Sequence, residues 1–211
     1  MHALEVTTPI SSLHEERLEY TVALLERLNA RRVLDLGCGS GALLHRLAVR
    51  PGISEVVGVE QCAMALAHAR AVLDREVRGG APRVSLVHGS YGERDPRLAG
   101  FDAAVMLETI EHEHPRALSR VEAAVFASFR PATVFITTPN RDHNPLLGLG
   151  HGEFRDPDHK FEWSRAKFRE WALGVARRQG YRATFGGIGE LDPELGPPTQ
   201  TALFQCRADA A

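Results

Sequence analysis

The stretch VLDLGCGSG, residues 33–41, decides the fold. Residues 32–36 are apolar enough for a short strand, and residues 42–49 carry leucines at helical spacing. Between them runs Asp35-Leu36-Gly37-Cys38-Gly39-Ser40-Gly41. Alternating glycines permit positive φ and let a ligand approach the backbone. A strand that turns into a helix through such a loop opens a nucleotide-binding βαβ unit. Glu60 stands 19 residues after Gly41, at the end of a second apolar strand over residues 55–59. An acid there can accept hydrogen bonds from two ribose hydroxyls.

Working outward, the chain alternates strands and helices. Residues 13–28 have helical spacing (Leu13, Leu18, Val22, Leu25, Leu28), with Ser11 and Ser12 as caps. A helix is predicted over 64–77, strands over 84–87 and 101–107, and a helix over 115–129. A fifth strand covers 133–137 and is stopped by Pro139. Residues 139–162 form a long segment rich in Gly, Pro, His and Asp, and a loop of that length is usually functional. Ser164 caps a helix over 164–179, and strands over 181–188 and 201–206 end the chain. Alternation predicts a mostly parallel sheet with right-handed crossovers. Two closing strands without a helix between them predict an antiparallel edge hairpin. The class is therefore α/β, a Rossmann-like fold with a seven-stranded sheet, expected as one domain over 1–211 with residues 1–10 flexible.

Composition narrows the setting. The chain has 211 residues, 44% hydrophobic and 25% charged. No apolar run of about 18 residues is present, and the first residues lack the basic and apolar regions of a signal peptide. A cytoplasmic protein without membrane attachment is expected. Cys38, Cys62 and Cys206 are far apart, which disfavours a disulfide framework or a zinc knuckle. The net charge of −2 does not advertise nucleic acid, although all but Lys160 and Lys167 of its 25 basic residues are Arg.

The dinucleotide fingerprint G-x-G-x-x-G is not met, because no glycine stands at its sixth position. The form D-x-G-x-G-x-G looks like the first motif of S-adenosylmethionine-dependent methyltransferases. That resemblance places Gly37 and Gly39 beside the methionine moiety, Glu60 on the ribose, and Ser90 and Tyr91 beside the adenine; Tyr91 reads equally as a surface aromatic.

The fourth strand runs into Glu108-Thr109-Ile110-Glu111-His112. One helical turn there puts positions 108, 111 and 112 on one face. Two carboxylates and an imidazole suit Mg²⁺, Mn²⁺ or Fe²⁺, and a fourth ligand is available from residues 156–163. By spacing alone, a solvated helix face explains the same residues. Glu113 and His114 read as outward-facing, and His143 and His151 as polar loop residues.

Several stretches then converge: VLDLGCGSG (33–41), VGVE (57–60), LETIEH (107–112), TTPN (137–140), DHKFEWSRAKFREWA (158–172) and GIGELDPELGPPTQTALF (187–204). Together they resemble the small-RNA 3′-terminal ribose 2′-O-methyltransferases of the HUA-enhancer type, particularly the bacterial methyltransferase domain. The resemblance implies a divalent metal (Mg²⁺ or Mn²⁺, with Fe²⁺ an alternative) on Glu108, Glu111, His112 and His159. It implies S-adenosylmethionine on Asp35, Gly37, Cys38, Gly39, Gly41, Glu60, Gln61, Ser90, Tyr91 and Leu107. His112 and Glu111 are the implied catalytic residues. The implied partner is an RNA 3′ end with free 2′ and 3′ hydroxyls, the implied state a monomer. Asp156 stands where bacterial members often have His. Those members commonly carry an N-terminal region tied to RNA ligase activation, which this sequence lacks; an RNA repair kinase-phosphatase/ligase is the partner class that region would imply.

Around that site, Arg165, Lys167 and Arg169 are expected either on RNA phosphates or on a solvated helix face. Phe161 and Trp163 stack on a base or pack in the core, and Asn140 contacts substrate or shapes a turn. Two other functions fit the glycine turn: a metal-independent small-molecule methyltransferase, and a non-catalytic module that holds the cofactor or an RNA end.

Overall fold

The computed structural model describes residues 9–76 and 83–207. Helix α1, Pro9–Arg27, lays Leu18, Val22 and Leu25 against one face of the sheet. Strand β1, Arg32–Leu36, sends alternate residues to opposite faces. Leu34 and Leu36 join a cluster with Val57, Phe126 and Phe204, while Val33 joins Leu25, Leu44 and Phe135. Both faces of the strand are thus apolar, as a sheet covered by helices on each side requires.

The chain continues through α2 (Ala42–Ala48), β2 (Glu55–Glu60), α3 (Ala63–Glu76), β3 (Arg83–His88) and β4 (Ala103–Leu107). A 3₁₀ turn, Ile110–His112, follows β4. Strand β5 is Thr133–Pro139, helix α5 is Arg165–Gln179, and β6 (Tyr181–Ile188) and β7 (Thr199–Cys206) close the sheet. Among the described residues the strand order is β3-β2-β1-β4-β5-β7-β6. Neighbours are parallel up to β5; β7 is antiparallel to both β5 and β6. This is the Rossmann-like sheet with an antiparallel edge hairpin that the alternation predicts.

Strand order reverses between β1 and β4, and a crevice opens at the carboxyl ends of strands at such a point. The glycine turn leaves β1 there, and the Glu108–His112 segment leaves β4 there.

Local boundaries differ from the sequence reading. Ser11 and Ser12 lie inside α1 and are not its caps. The helix over 115–129 has three pitches: a 3₁₀ turn (Pro115–Ala117), α4 (Leu118–Glu122) and a π-helical run (Ala123–Phe129) that buries Val125, Phe126 and Phe129. β5 runs two residues past Thr137 and ends at Pro139 itself, which faces Thr199 of β7, where a missing N–H is tolerated. The long segment after β5 holds a 3₁₀ helix, Arg141–Leu147. Ser164 does cap α5, its side chain accepting from the Lys167 N–H at 3.3 Å. The predicted helix end at Val77 and the flexibility expected of residues 1–8 lie outside the described residues.

Candidate active site

The glycine turn is fastened to β2 at both ends. The Gly37 and Cys38 N–H groups donate to the Val59 carbonyl at 2.8 and 3.1 Å. The Glu60 carboxylate accepts from the Gly39 N–H at 2.9 Å and from the Cys62 N–H at 2.7 Å. Each oxygen keeps acceptor capacity for a further donor. Gly37, Gly39 and Gly41 have φ of 80°, 53° and 88°. A side chain at Gly37 would meet Thr109 Cγ2 at 2.6 Å, whereas one at Gly39 would meet nothing within 4 Å. Gly39 therefore borders open space, and Gly37 is wedged against the segment that follows β4.

Asp35 and Tyr91 lie beneath this turn. Tyr91 is buried and its hydroxyl donates to the Thr109 carbonyl at 3.2 Å. It is not a surface aromatic. Its ring lies against the turn, Cε1 3.5 Å from where a side chain on Gly37 would begin. Asp35 is buried with Oδ2 unpartnered, and desolvation, assisted by Glu60, raises its pKa from 3.8 to about 7. Between these two values the folded chain holds a proton that the unfolded chain has lost. Stability contributed at this position is thus present below the unfolded value and falls as pH rises through the folded one. Asp35→Asn is expected to raise the melting temperature at about pH 8 and to leave it unchanged near pH 4. Paired thermal melts of the ligand-free protein check this.

The segment after β4 begins with strain. Glu108 has a φ of 52°, unusual for a residue with a side chain, and its N–H donates to Thr137 Oγ1 at 3.0 Å. The carboxylate is held by the Thr137 hydroxyl at 2.7 Å and by Arg17 of α1 at 3.0 Å. Glu111 is fully buried. Its Oε2 accepts from the Thr138 hydroxyl at 2.9 Å, and its Oε1 has no partner among the described residues. Desolvation first, and Glu108 second, push its pKa well above the carboxylate range.

Glu111, His112 and His159 come together, each offering one ligand atom within 4.8 Å of the others. Glu108 is not drawn into this group, because Arg17 and Thr137 hold its carboxylate. His159 arrives from far along the chain: the Lys160 N–H donates to the Glu111 carbonyl at 2.7 Å, which sets the two imidazoles 4.9 Å apart. Burial, then His159, lowers the His112 pKa and keeps that ring neutral.

Behind His159 stands a partner that the residue-by-residue reading left unassigned. Its Nδ1 contacts Glu162 Oε1 at 2.6 Å, which directs Nε2 toward the cluster. Glu162 also accepts from Asn144 Nδ2 at 2.6 Å and from the Arg155 N–H at 2.7 Å. The Arg155 guanidinium is spent on Asn144 Oδ1 and on the Pro198 and Asn140 carbonyls. The i,i+3 spacing from His159 to Glu162 is a signal for this pair; no sequence signal connects Arg17, Asn144 or Arg155 to it. His143 lies in the 3₁₀ helix of the long segment, buried with its Nδ1 2.8 Å from the Gly196 carbonyl.

One cleft of about 920 Å³ joins the two halves, with Asp35, Gly37, Cys38, Gly39 and Leu107 on one wall and Glu108, Glu111, His112 and His159 on the other. Gly41, Glu60, Gln61, Ser90 and Tyr91 lie outside that wall. Gly41 is packed on Ala69, Ser90 Oγ accepts from the Gly92 N–H, and Gln61 is exposed beyond the end of β2. The three basic residues of the first turns of α5 separate: Arg165 pairs with Asp142, Arg169 lies over the Phe185 ring, and Lys167 faces a second cavity. Phe161 is core, and Trp163 stacks on it with centroids 4.2 Å apart.

A family model described as a methyltransferase domain matches residues 33–132. The chain is 41% identical over 204 residues to a Mus musculus protein named small RNA 2′-O-methyltransferase, covering 91% of this chain and 50% of the relative. It spans about half the length of the curated relatives it matches first. The methyltransferase domain of bacterial CtHen1 superposes with a TM-score of 0.82 at 37% identity, covering 92% of this chain and 99% of that one. Small RNA methyltransferase HEN1 superposes with a TM-score of 0.87 at 33% identity, covering 100% of this chain and 28% of that one. The sheet is therefore that of the S-adenosylmethionine-dependent methyltransferases, and, matched across almost an entire bacterial domain, the chain belongs to the small RNA 2′-O-methyltransferase family.

Proposed function

We propose that this chain moves a methyl group from S-adenosylmethionine to the 2′-hydroxyl of the 3′-terminal ribose of RNA, with a divalent cation at Glu111, His112, His159 and Glu108. The observation that carries the reading is Glu111 Oε1. A fully buried carboxylate oxygen without a hydrogen-bond partner is costly, and its carboxylate stands with two imidazoles, all three residues lining the cleft shared with the glycine turn. A set of oxygen and nitrogen donors fits Mg²⁺ or Mn²⁺.

Each residue has a task. Gly39 leaves room for the methionine moiety, and Glu60, held by two backbone N–H groups, presents its remaining lone pairs to the ribose of the cofactor. His112, kept neutral, offers a lone pair at neutral pH. Glu162 fixes the orientation of His159. Glu108 lines the same cleft and would complete the donor set on release from Arg17 and Thr137, which hold its carboxylate apart from the other three. A bound divalent cation supplies Lewis acidity that eases ionisation of a ribose hydroxyl. Positioning is the chain's main contribution, because the sulfonium is already a good leaving group.

Radiolabelled S-adenosylmethionine with a short RNA tests the reading. Label is expected only on an RNA ending in a free 2′,3′-diol. A 2′-deoxy end lacks the nucleophile, and a 3′-phosphate masks the second hydroxyl. Chelation with EDTA abolishes labelling and Mn²⁺ restores it. Labelling that survives EDTA overturns the metal reading, and the absence of label on any RNA overturns the acceptor.

A further inference from the structure

A second cavity of about 670 Å³ lies beside the first, behind the 3₁₀ helix Arg141–Leu147. Leu149 lines both. Glu162 lines the second cavity, and its Oε1 is the atom that holds His159, which lines the first. Whatever fills the second cavity is therefore a direct neighbour of a group in the first.

The charges in this wall are asymmetric. Its carboxylates are all engaged: Asp142 with Arg165, Glu153 with the Gly150 N–H, and Glu162 with His159, Asn144 and the Arg155 N–H. Its cations are not. Among the described residues, neither the Arg141 guanidinium nor the Lys167 ammonium has a hydrogen-bond or ion-pair partner. Arg155 and Arg165, close by, spend their donors inside the fold instead. The indole of Trp163, stacked on Phe161, adds an aromatic surface to the same wall.

Unpaired cations beside an aromatic ring in a groove are the makings of a single-stranded nucleic-acid track. We infer that this cavity takes the nucleotides immediately 5′ to the acceptor ribose, with Arg141 and Lys167 on their phosphates and Trp163 against a base. The inference rests on the RNA-end reading above and extends it. Arg141 and Lys167 are positioning residues: they set the reach of the strand into the first cleft and touch no reacting atom. Phosphate contacts carry no sequence information, so the track is indifferent to sequence.

The test is steady-state methylation by the full chain of a short single-stranded RNA, comparing wild type with R141A/K167A. Neither substituted side chain supports the fold, and S-adenosylmethionine affinity measured calorimetrically reports on fold and cofactor site together. The double variant is expected to raise KM for RNA by roughly tenfold per lost contact. Its plot of log KM against log salt should flatten by about 1.4, two phosphates on a single strand. An RNA with a methylphosphonate 5′ of the acceptor should be a poor substrate for wild type and no worse than ordinary RNA for the variant. A variant with wild-type KM and salt slope, or a methylphosphonate penalty equal in both proteins, overturns the inference while leaving the RNA-end reading intact. Wild type that labels no RNA overturns that reading, and this inference with it.

Discussion

Glu111→Gln is expected to lower RNA methylation by at least about a thousandfold, the several kcal/mol that a cation site contributes to transition-state stabilisation. The same change should raise the melting temperature of the metal-free protein at about pH 8. The two effects have opposite signs, and that is the diagnostic feature. In the fold alone Glu111 is a burden. It is fully buried, one oxygen is unpartnered, and burial together with Glu108 disfavours its charge. The amide keeps the shape and removes the charge, so a purely structural carboxylate would show no reason to exist. Thermal melts with and without Mn²⁺ complete the test: a ligand that binds only the folded state raises its stability by mass action. Wild type should gain from Mn²⁺ and the variant should not. A variant that methylates RNA at the wild-type rate would remove Glu111 from the site.

The second large effect separates two glycines that look alike in sequence. Gly37→Ala is expected to cost about 3 kcal/mol, or roughly 6–12 °C in melting temperature for a chain of this size. The new Cβ would sit 2.6 Å from Thr109 Cγ2 at a φ of 80°. Thr109 is itself fixed, since its carbonyl accepts the Tyr91 hydroxyl and the segment leads directly into Glu111. Gly39→Ala should behave differently. Its Cβ meets no protein atom within 4 Å, and a φ of 53° lies in the left-handed region at a cost of only about 1 kcal/mol. The methyl group would project into space that the cofactor needs. Nearly wild-type stability with S-adenosylmethionine binding weakened about a hundredfold, some 2.7 kcal/mol, is the expected outcome. Calorimetric titration and thermal melts of both variants decide it. Equal loss of stability in the two would mean that the turn is merely a tight corner.

The sequence read best where local chemistry and topology agree. The glycine turn, the acidic end of β2 and the strand–helix alternation are short-range patterns, and each specifies backbone shape within a few residues. They determined the Rossmann-like sheet, its antiparallel closing hairpin and the region of the crevice. Ser164 was legible as a cap for the same reason, because capping is decided within one turn. Boundaries were legible only to a few residues. Ser11 and Ser12 have the chemistry of caps, yet α1 already includes Pro9 and Ile10 ahead of them.

Within the site, sequence spacing offered Glu108, Glu111 and His112 as one face of a turn, and it offered a solvated helix equally well. Tertiary structure decided between the environments. It buried Glu111, turned Glu108 toward Arg17 and Thr137 by a positive φ, and carried His159 across to His112 on a single backbone hydrogen bond to the Glu111 carbonyl. It also sent Tyr91 into the core beneath Gly37 and left the Arg141 and Lys167 side chains without a hydrogen-bond or ion-pair partner among the described residues. Burial, partner choice and orphaned charge depend on what distant segments place beside a residue, so no local pattern contains them. The sequence by itself determined the scaffold and the chemical types available at its open edge. Only the folded chain determined which of those groups meet, because a site is a set of distances between residues far apart along the chain.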